Sequence, residues 1–269
     1  MRILFIADIV GDDAVSLVGD LLPRIRQKYG IDFVIANAEN VDKGKGITER
    51  QIRRLKEMGV DCLTSGNHIW ERRKREVLVH HADYLLRPLN YPEGNLGLGS
   101  GVFASAKGPK VGVINLQGRS FMYSIDCPFR LGEKESKKLR AQTPIIFVDF
   151  HAEATAEKQA LAWHLDGKVS AIVGTHTHVQ TADERILPKG TAYITDAGMT
   201  GPVNSVIGME IDKAIERFML QTHVYYAMAK GVIRFNGVVV EVDEQTGNAT
   251  GIFRLNFTKE EFSHDSDDS

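Results

Sequence analysis

Five short apolar runs, each closing on side chains that can bind a metal, constrain this chain more than any other feature. They are RILFIAD (2–8), FVIANAEN (33–40), VDCLTSGNH (60–68), PIIFVDFH (144–151) and VSAIVGTHTH (169–178). Their apolar stretches are continuous rather than alternating. A strand that is apolar on both faces must be covered on both faces, so each run reads as a buried strand of the parallel type.

The spacers between the first three runs carry helical periodicity. Val18, Leu21 or Leu22, Ile25 and Tyr29 repeat at helical spacing after Gly11 and Asp12, and Gly30 closes the segment. Pro23 inside it conflicts with a continuous helix and predicts a kink or a second start. Thr48 with Gln51 three positions on is a capping-box pattern; Ile52, Leu55 and Met58 follow on one face, and Gly59 stops the helix. Strand, helix, strand, helix, strand predicts a right-handed parallel arrangement.

Farther on, 101–118 reads as two strands joined at Gly108 and Pro109. A helix from about 154 to 165 ends near Gly167, TAYITDAG (191–198) is another strand, and 231–243 with 247–257 form a final pair. The expected architecture is two packed sheets with helices outside. Neither a repeat nor a linker interrupts it, so the expectation is one domain over 1–262 with an acidic disordered tail at 263–269.

Bulk composition narrows the class. The 269 residues are 43% hydrophobic and 25% charged, the balance of an ordinary globular enzyme, with ample length for a core. The formal net charge of −2 disfavours long nucleic acid as the main partner. Cys62 and Cys127 stand in unlike contexts without metal-ligand spacing, which excludes a disulfide scaffold and fits a reducing cytoplasm. No run approaches the ~18 apolar residues of a membrane span, and the first strand is too short and too charged for a signal-peptide core. The expected location is the cytoplasm.

The strand ends carry the chemistry: Asp8; Glu39 with Asn40; Asn67 with His68; His151; His176 with His178. In open α/β sheets ligands gather where strands exit at their carboxyl ends. Each residue alone has a plainer role. Asp8 could cap a helix, although Asp12 or Asp13 suits that better. Glu39 could be a solvated loop carboxylate, but the alanines before it press it against the core, where an unpaired charge is expensive. Asn67 after Gly66 could be a turn residue, and His151 a satisfied core histidine. Their repetition after successive apolar strands is what argues for a shared site. Imidazole, carboxylate and amide donors without thiolate suit iron, manganese, zinc or nickel better than magnesium or calcium. A carboxylate can bridge two ions ~3.5–4 Å apart, the usual apparatus for in-line displacement at phosphorus.

Asp8, Gly66-Asn67-His68, His151 and Gly174-Thr175-His176-Thr177-His178 resemble, in this chain order, the motifs of the calcineurin-like metallophosphoesterases, over residues 2 to about 200. That family usually has Asp-x-His at the first strand, where this chain has Val10, and Gly-Asp at the second, where it has Ala38-Glu39-Asn40. Both departures, and TDAGMTGP (195–202), are similar to the YmdB-like branch of bacterial phosphodiesterases acting on cyclic nucleotides. The resemblance implies a four-layer αββα sandwich of two mixed sheets flanked by helices. It implies one ion held by Asp8, Glu39, Asn40 and His178, and another by Glu39, Asn67, His151 and His176. Asn40 would take the place of the histidine missing at Val10. The ions would be transition metals, iron first and manganese or zinc next. A water bridging them would attack phosphorus, with His68 beside the site as general acid.

The expected function is hydrolysis of a small phosphodiester, a 2′,3′- or 3′,5′-cyclic nucleotide. A phosphomonoesterase or protein phosphatase would use the same ligands, and a metal-stabilised regulatory protein would keep the ligands without needing His68. A nuclease is disfavoured by the charge. The charged run ERRKRE (71–76) reads as a solvated helix face, the glycines at 94, 97, 99 and 101 as loop, and Thr200 with Gly201 as pocket lining by resemblance only. His80, His81, His164, His223 and His264 have no supporting context. A homo-oligomer is a weak expectation from the fold alone.

Overall fold

A computed structural model describes residues 1–71, 76–106, 108–225 and 227–264. Most of the charged run ERRKRE and the end of the acidic tail lie outside the described residues.

The first apolar run splits into β1 (Arg2–Ile6) and β2 (Asp8–Ile9), followed by α1 (Gly11–Tyr29). The helix runs through Pro23 without a second start. It forgoes one backbone hydrogen bond at a cost of about 3 kcal/mol. The buried face of Ala14, Val15, Val18, Leu21, Leu22 and Ile25 outweighs this, at about 1.5–3 kcal/mol for each large side chain. Gly30 ends α1 in the left-handed conformation (φ 61°, ψ 47°), its N–H donating to the Arg26 carbonyl.

Next come β3 (Phe33–Asn37), α2 (Glu49–Glu57) and β4 (Cys62–Thr64). The expected capping box is present: Gln51 Oε1 accepts the Thr48 N–H at 3.0 Å and its hydroxyl at 2.8 Å. A 3-10 turn, Asn67–Trp70, and the short α3 (Val77–His80) lead to an antiparallel pair, β5 (Ser100–Phe103) and β6 (Val111–Gln117). The second half holds α4 (Pro128–Arg140), β7 (Ile145–His151), α5 (Thr155–Leu165), β8 (Ala171–Thr175), β9 (Arg185–Ile186), β10 (Ala192–Ile194) and β11 (Met199–Pro202). It closes with α6 (Ile211–Leu220), β12 (Ile233–Val242), β13 (Ala249–Thr258) and α7 (Lys259–His264). The helices α4 and α6 were not expected from sequence.

The strands form two mixed sheets. One runs β2-β11-β12-β1-β3-β4 with β13 also on β12; the other runs β5-β6-β7-β8-β10-β9. In the first, β1, β3 and β4 are parallel; in the second, β6, β7, β8 and β10 are parallel. Three separate apolar clusters fill the spaces between layers. Leu4, Val34 and Val239 meet Leu21 and Leu55 under α1 and α2. Phe5, Ile35, Val113, Phe147 and Val173 lie between the sheets, with the Phe5 and Phe147 rings stacked at 5.5 Å. Leu116, Val148 and Ile172 meet Leu139 and Leu161 under α4 and α5. Helices, sheet, sheet, helices is the expected four-layer sandwich. Among the described residues no helix is long and apolar enough to cross a membrane.

Candidate metal centre

The parallel cores of both sheets deliver their exits to one place. Asp8 follows β1 directly and is held in β2 by pairing with Met199 of β11. Glu39 and Asn40 follow β3, and Asn67 and His68 follow β4. His151 is the last residue of β7, and His176 and His178 follow β8. Two glycines make this convergence sterically possible. A Cβ on Gly66 would stand 2.2–2.4 Å from three atoms of the His151 ring. One on Gly174 would stand 1.8 Å from the Thr195 carbonyl oxygen. His176 and His178 both adopt positive φ (99° and 64°), which is strained for non-glycine residues.

His151 Nε2 is the meeting point. It lies 3.0 Å from Glu39 Oε1, 3.1 Å from Asn67 Oδ1 and 3.0 Å from His176 Nδ1. Glu39, His151 and His176 thus bring ligand atoms within 4.8 Å of one another. On the other side, His178 Nε2 is 3.3 Å from the Asn40 amide nitrogen and 3.7 Å from Asp8 Oδ2, and the same amide is 3.5 Å from Glu39 Oε1. Asp8 Oδ2 accepts the His176 N–H at 2.9 Å, while Asp8 Oδ1, fully buried, has no hydrogen-bond partner. All seven residues expected as ligands therefore stand in one cluster.

Each imidazole is oriented from outside. The Thr175 hydroxyl donates to Asp149 at 2.7 Å and so accepts from His151 Nδ1–H at 3.0 Å. His178 Nδ1–H donates to the Ile207 carbonyl at 3.0 Å, and His176 Nε2 faces the Glu153 carboxylate at 3.1 Å. The remaining ring nitrogen of each histidine then points inward: His151 Nε2 toward Glu39 and Asn67, His176 Nδ1 toward His151, and His178 Nε2 toward the Asn40 amide and Asp8. Lone pairs converging from several groups onto a buried point repel one another unless a cation sits among them. This donor set fits transition-metal ions.

Burial and mutual charge perturb the titratable groups of the cluster. Burial drives the Asp8 carboxyl well above the usual carboxylate range, with His151 opposing and Glu39 reinforcing the rise. Glu39 is held at about 2: burial pushes it up, but the charge and hydrogen bond of His151 outweigh that. His151 is reciprocally lifted to about 9 against its own burial, mainly by Glu39, with Asp8 and Asp149 assisting. His176 is lowered to about 3 by burial and by His151.

His68 stands apart from the ligand atoms. Its backbone N–H donates to Glu39 Oε2 at 2.8 Å. Its ring is 26% exposed, with Nδ1 3.5 Å from Glu71 but in no aligned hydrogen bond. The ring lines a cavity of about 240 Å³ together with Glu39, Lys45, His176 and His178.

Several supporting residues escaped sequence reading. Asp149, at 0% exposure, accepts from Asn37, Thr64 and Thr175 and so braces three strand ends. Its signal was present: two residues before His151 in a strand, it shares that face. Burial raises its carboxyl to about 6. Lys158 of α5 and Asp196 after β10 form a buried ion pair at 2.7 Å. Asp196 also receives the Thr177 N–H and hydroxyl, which fixes the turn between His176 and His178. The Glu153 and Ile207 contacts come from loops and left no pattern.

Val10 is buried at the head of α1, its N–H donating to the Thr200 carbonyl, and Asn40 reaches His178 instead. Thr200 is wholly buried with its hydroxyl on the Asn236 carbonyl; Gly201 lines a neighbouring groove with His178, outside the His68 cavity. Asp12 does not cap α1 with its side chain; it accepts from Arg50 and Gln51 of α2.

Known proteins share this arrangement of sequence and fold. A family profile described as YmdB-like protein matches residues 4–255. A Bacillus subtilis protein named 2′,3′-cyclic-nucleotide 2′-phosphodiesterase is 46% identical over 255 residues, 95% of this chain and 96% of its own. The crystal structure of a hypothetical protein from Thermus thermophilus is 39% identical, with TM-score 0.89 over 96% of this chain and 99% of that one. A structure titled as a novel phosphatase from Mycoplasma pneumoniae is 37% identical, also with TM-score 0.89, covering 96% and 93%.

Proposed function

The chain belongs to the YmdB-like family, and from that premise we propose that it is a metal-dependent phosphoric ester hydrolase whose substrates are small phosphodiesters, in the first place cyclic nucleotides. The observation that carries the reading is the convergence of Glu39, Asn67 and His176 ligand atoms on His151 Nε2, with each imidazole held by an acceptor behind it. The relative named for 2′,3′-cyclic nucleotides supports the choice of diester.

Asp8, Glu39, Asn40 and His178 would hold one ion and Glu39, Asn67, His151 and His176 the other, with Glu39 common to both. The Asn40 amide would turn to present its oxygen. Such ions, iron first and manganese or zinc next, supply Lewis acidity toward phosphoryl oxygens and a lowered pKa for water.

The chain's own groups do the rest. Asp149, Glu153 and the Ile207 carbonyl keep the three imidazoles aimed inward. The alkoxide leaving from a cyclic ester departs badly without a proton. His68, whose ring lines the cavity outside the ligand cluster, would give that proton as general acid. Lys45, on the same wall and 3.8 Å from the Glu71 carboxylate, would add positive charge near a bound phosphate.

The test pairs elemental analysis of purified protein with a panel of 2′,3′-cyclic, 3′,5′-cyclic and monoester phosphates. Bound transition metal, loss of turnover on chelation and its return with iron or manganese are expected, with cyclic esters ahead of monoesters. Metal-free protein that still hydrolyses them would sink the reading. Monoesters ahead of cyclic esters would favour a phosphatase, the activity in the Mycoplasma pneumoniae structure's title.

A further inference from the structure

A second cavity, of about 490 Å³, adjoins the one at the candidate centre. It is lined by Lys45, Arg217, Gln221, Thr222, His223 and Val224, and Lys45 lines both. Its composition differs from that of the molecule. The chain carries a formal charge of −2, yet among the described residues this lining offers a guanidinium, an ammonium, an imidazole, an amide and a hydroxyl without a carboxylate, the Lys45 ammonium standing 3.8 Å from Glu71 outside it. Arg217 occupies the last turn of α6, and among the described residues no carboxylate lies within ion-pairing reach of it. Gln221 ends α6 in the left-handed conformation (φ 52°, ψ 29°), and Thr222 to Val224, which follow it, line the cavity. The carbonyl end of α6 weakly opposes an anion there, and Arg217 sits where it offsets that opposition.

Donors of this kind recognise phosphate oxygens, and a guanidinium does so in a bidentate manner. Among the described residues the ring in this lining is the His223 imidazole, which meets Tyr225 edge-on at 5.5 Å, so charged and polar donors rather than a stacking surface dominate the cavity, and the group it suits is a phosphate. Lys45 lines both cavities, so a group that the substrate carries beyond its reacting ester would extend from the centre toward this one.

We propose that the cavity is a subsite for a second phosphate, the one on the 5′ side of the nucleoside that bears the reacting cyclic ester. This rests on the phosphodiesterase reading and deepens it: the favoured substrate is a nucleotide extended at its 5′ end rather than a free cyclic mononucleotide. Cyclic 2′,3′-esters are formed when an RNA 2′-hydroxyl attacks the phosphorus of the adjacent 3′-phosphodiester, breaking its bond to the 5′-oxygen of the next nucleoside, which leaves as a 5′-hydroxyl. A reaction of that class would leave such an ester on a strand that still has its 5′ phosphates.

The experiment measures kcat/KM of the metal-loaded enzyme on three substrates: a nucleoside 2′,3′-cyclic phosphate, its 5′-phosphorylated form, and a dinucleotide ending in the same cyclic ester. A gain of roughly ten-fold over the unextended nucleotide, about one charge-assisted contact, is expected for at least one extended substrate. If the 5′-monophosphate shows it, a free nucleotide is the source; if only the dinucleotide does, an RNA end is. Arg217→Gln with His223→Gln should remove the gain while leaving the unextended nucleotide unchanged. The gain should also shrink as salt rises, by electrostatic release at the phosphate. Equal kcat/KM on all three substrates, or equal losses on all three in the double variant, would overturn the subsite and leave the phosphodiesterase reading standing. No turnover on any of them would remove both.

Discussion

Removing the His68 imidazole separates two roles that proximity alone would confuse. If it gives the leaving oxygen its proton, His68→Ala should keep its metal and lose about 10²–10⁴-fold in kcat on diesters with alkoxide leaving groups. A nitrophenyl ester, whose leaving group departs without a proton, should lose much less. Equal loss on both, measured beside the metal content, would take His68 out of that role. Lys158 acts from farther away. Its ammonium is the counter-charge to Asp196, and both are fully buried. Lys158→Met should therefore lower stability by about 3–5 kcal/mol in denaturant titration, because it strands a buried carboxylate. A change below about 1 kcal/mol would mean that the Thr177 and Gly198 donors alone satisfy Asp196.

At the scale of elements, Pro23 is the clearest local conflict. It is exposed on α1, so replacing it leaves the packed face untouched. Pro23→Ala restores a helix N–H and should raise stability by about 1–3 kcal/mol in a denaturant titration; an unchanged midpoint would mean the helix has already adapted there. The same scale decides what was readable in the sequence. Strands β1, β3, β7 and β8 were visible because burial on both faces demands unbroken apolar runs. Helix α4 was not, because its buried face is Pro128, Gly132, Glu135, Ser136 and Leu139, small and polar residues without an apolar stripe. Glu135 is tolerated there because Ser100 and Lys138 donate to it. Helix α6 was hidden for the opposite reason: Ile211, Ile215, Phe218 and Met219 are apolar but exposed, and only Ala214 is buried. At the candidate site the ligands were legible because each closes a strand. Glu153, Ile207 and Asp196 were not, since their contacts exist only once separate exits have been brought together.

For the molecule as a whole, the two-sheet sandwich sets how stability responds to alkali. Tyr84 is almost wholly buried, and its hydroxyl donates to the Val60 carbonyl at 2.9 Å. Burial first, then Cys62 and Asp61, lift its phenol far above the ordinary value of 10. The unfolded chain releases that proton near pH 10 and the folded one does not, so the unfolded state gains as pH rises. Stability should be intact below about pH 10 and fall above it by up to about 1.4 kcal/mol per pH unit from this group. Tyr84→Phe should flatten that part of the curve while costing about 1 kcal/mol at neutral pH for the lost hydrogen bond. A variant with the same alkaline slope as the parent would place the loss elsewhere.

The left-handed backbone at His176 and His178 sets the fold and the centre at odds. Glycine would suit both positions better as a matter of main-chain geometry, yet glycine has no imidazole to offer. A lineage released from the need for turnover could relax this hairpin by replacing either residue and become sturdier as it became inert. Retention of both histidines would then record a selective pressure that operates against thermodynamic ease.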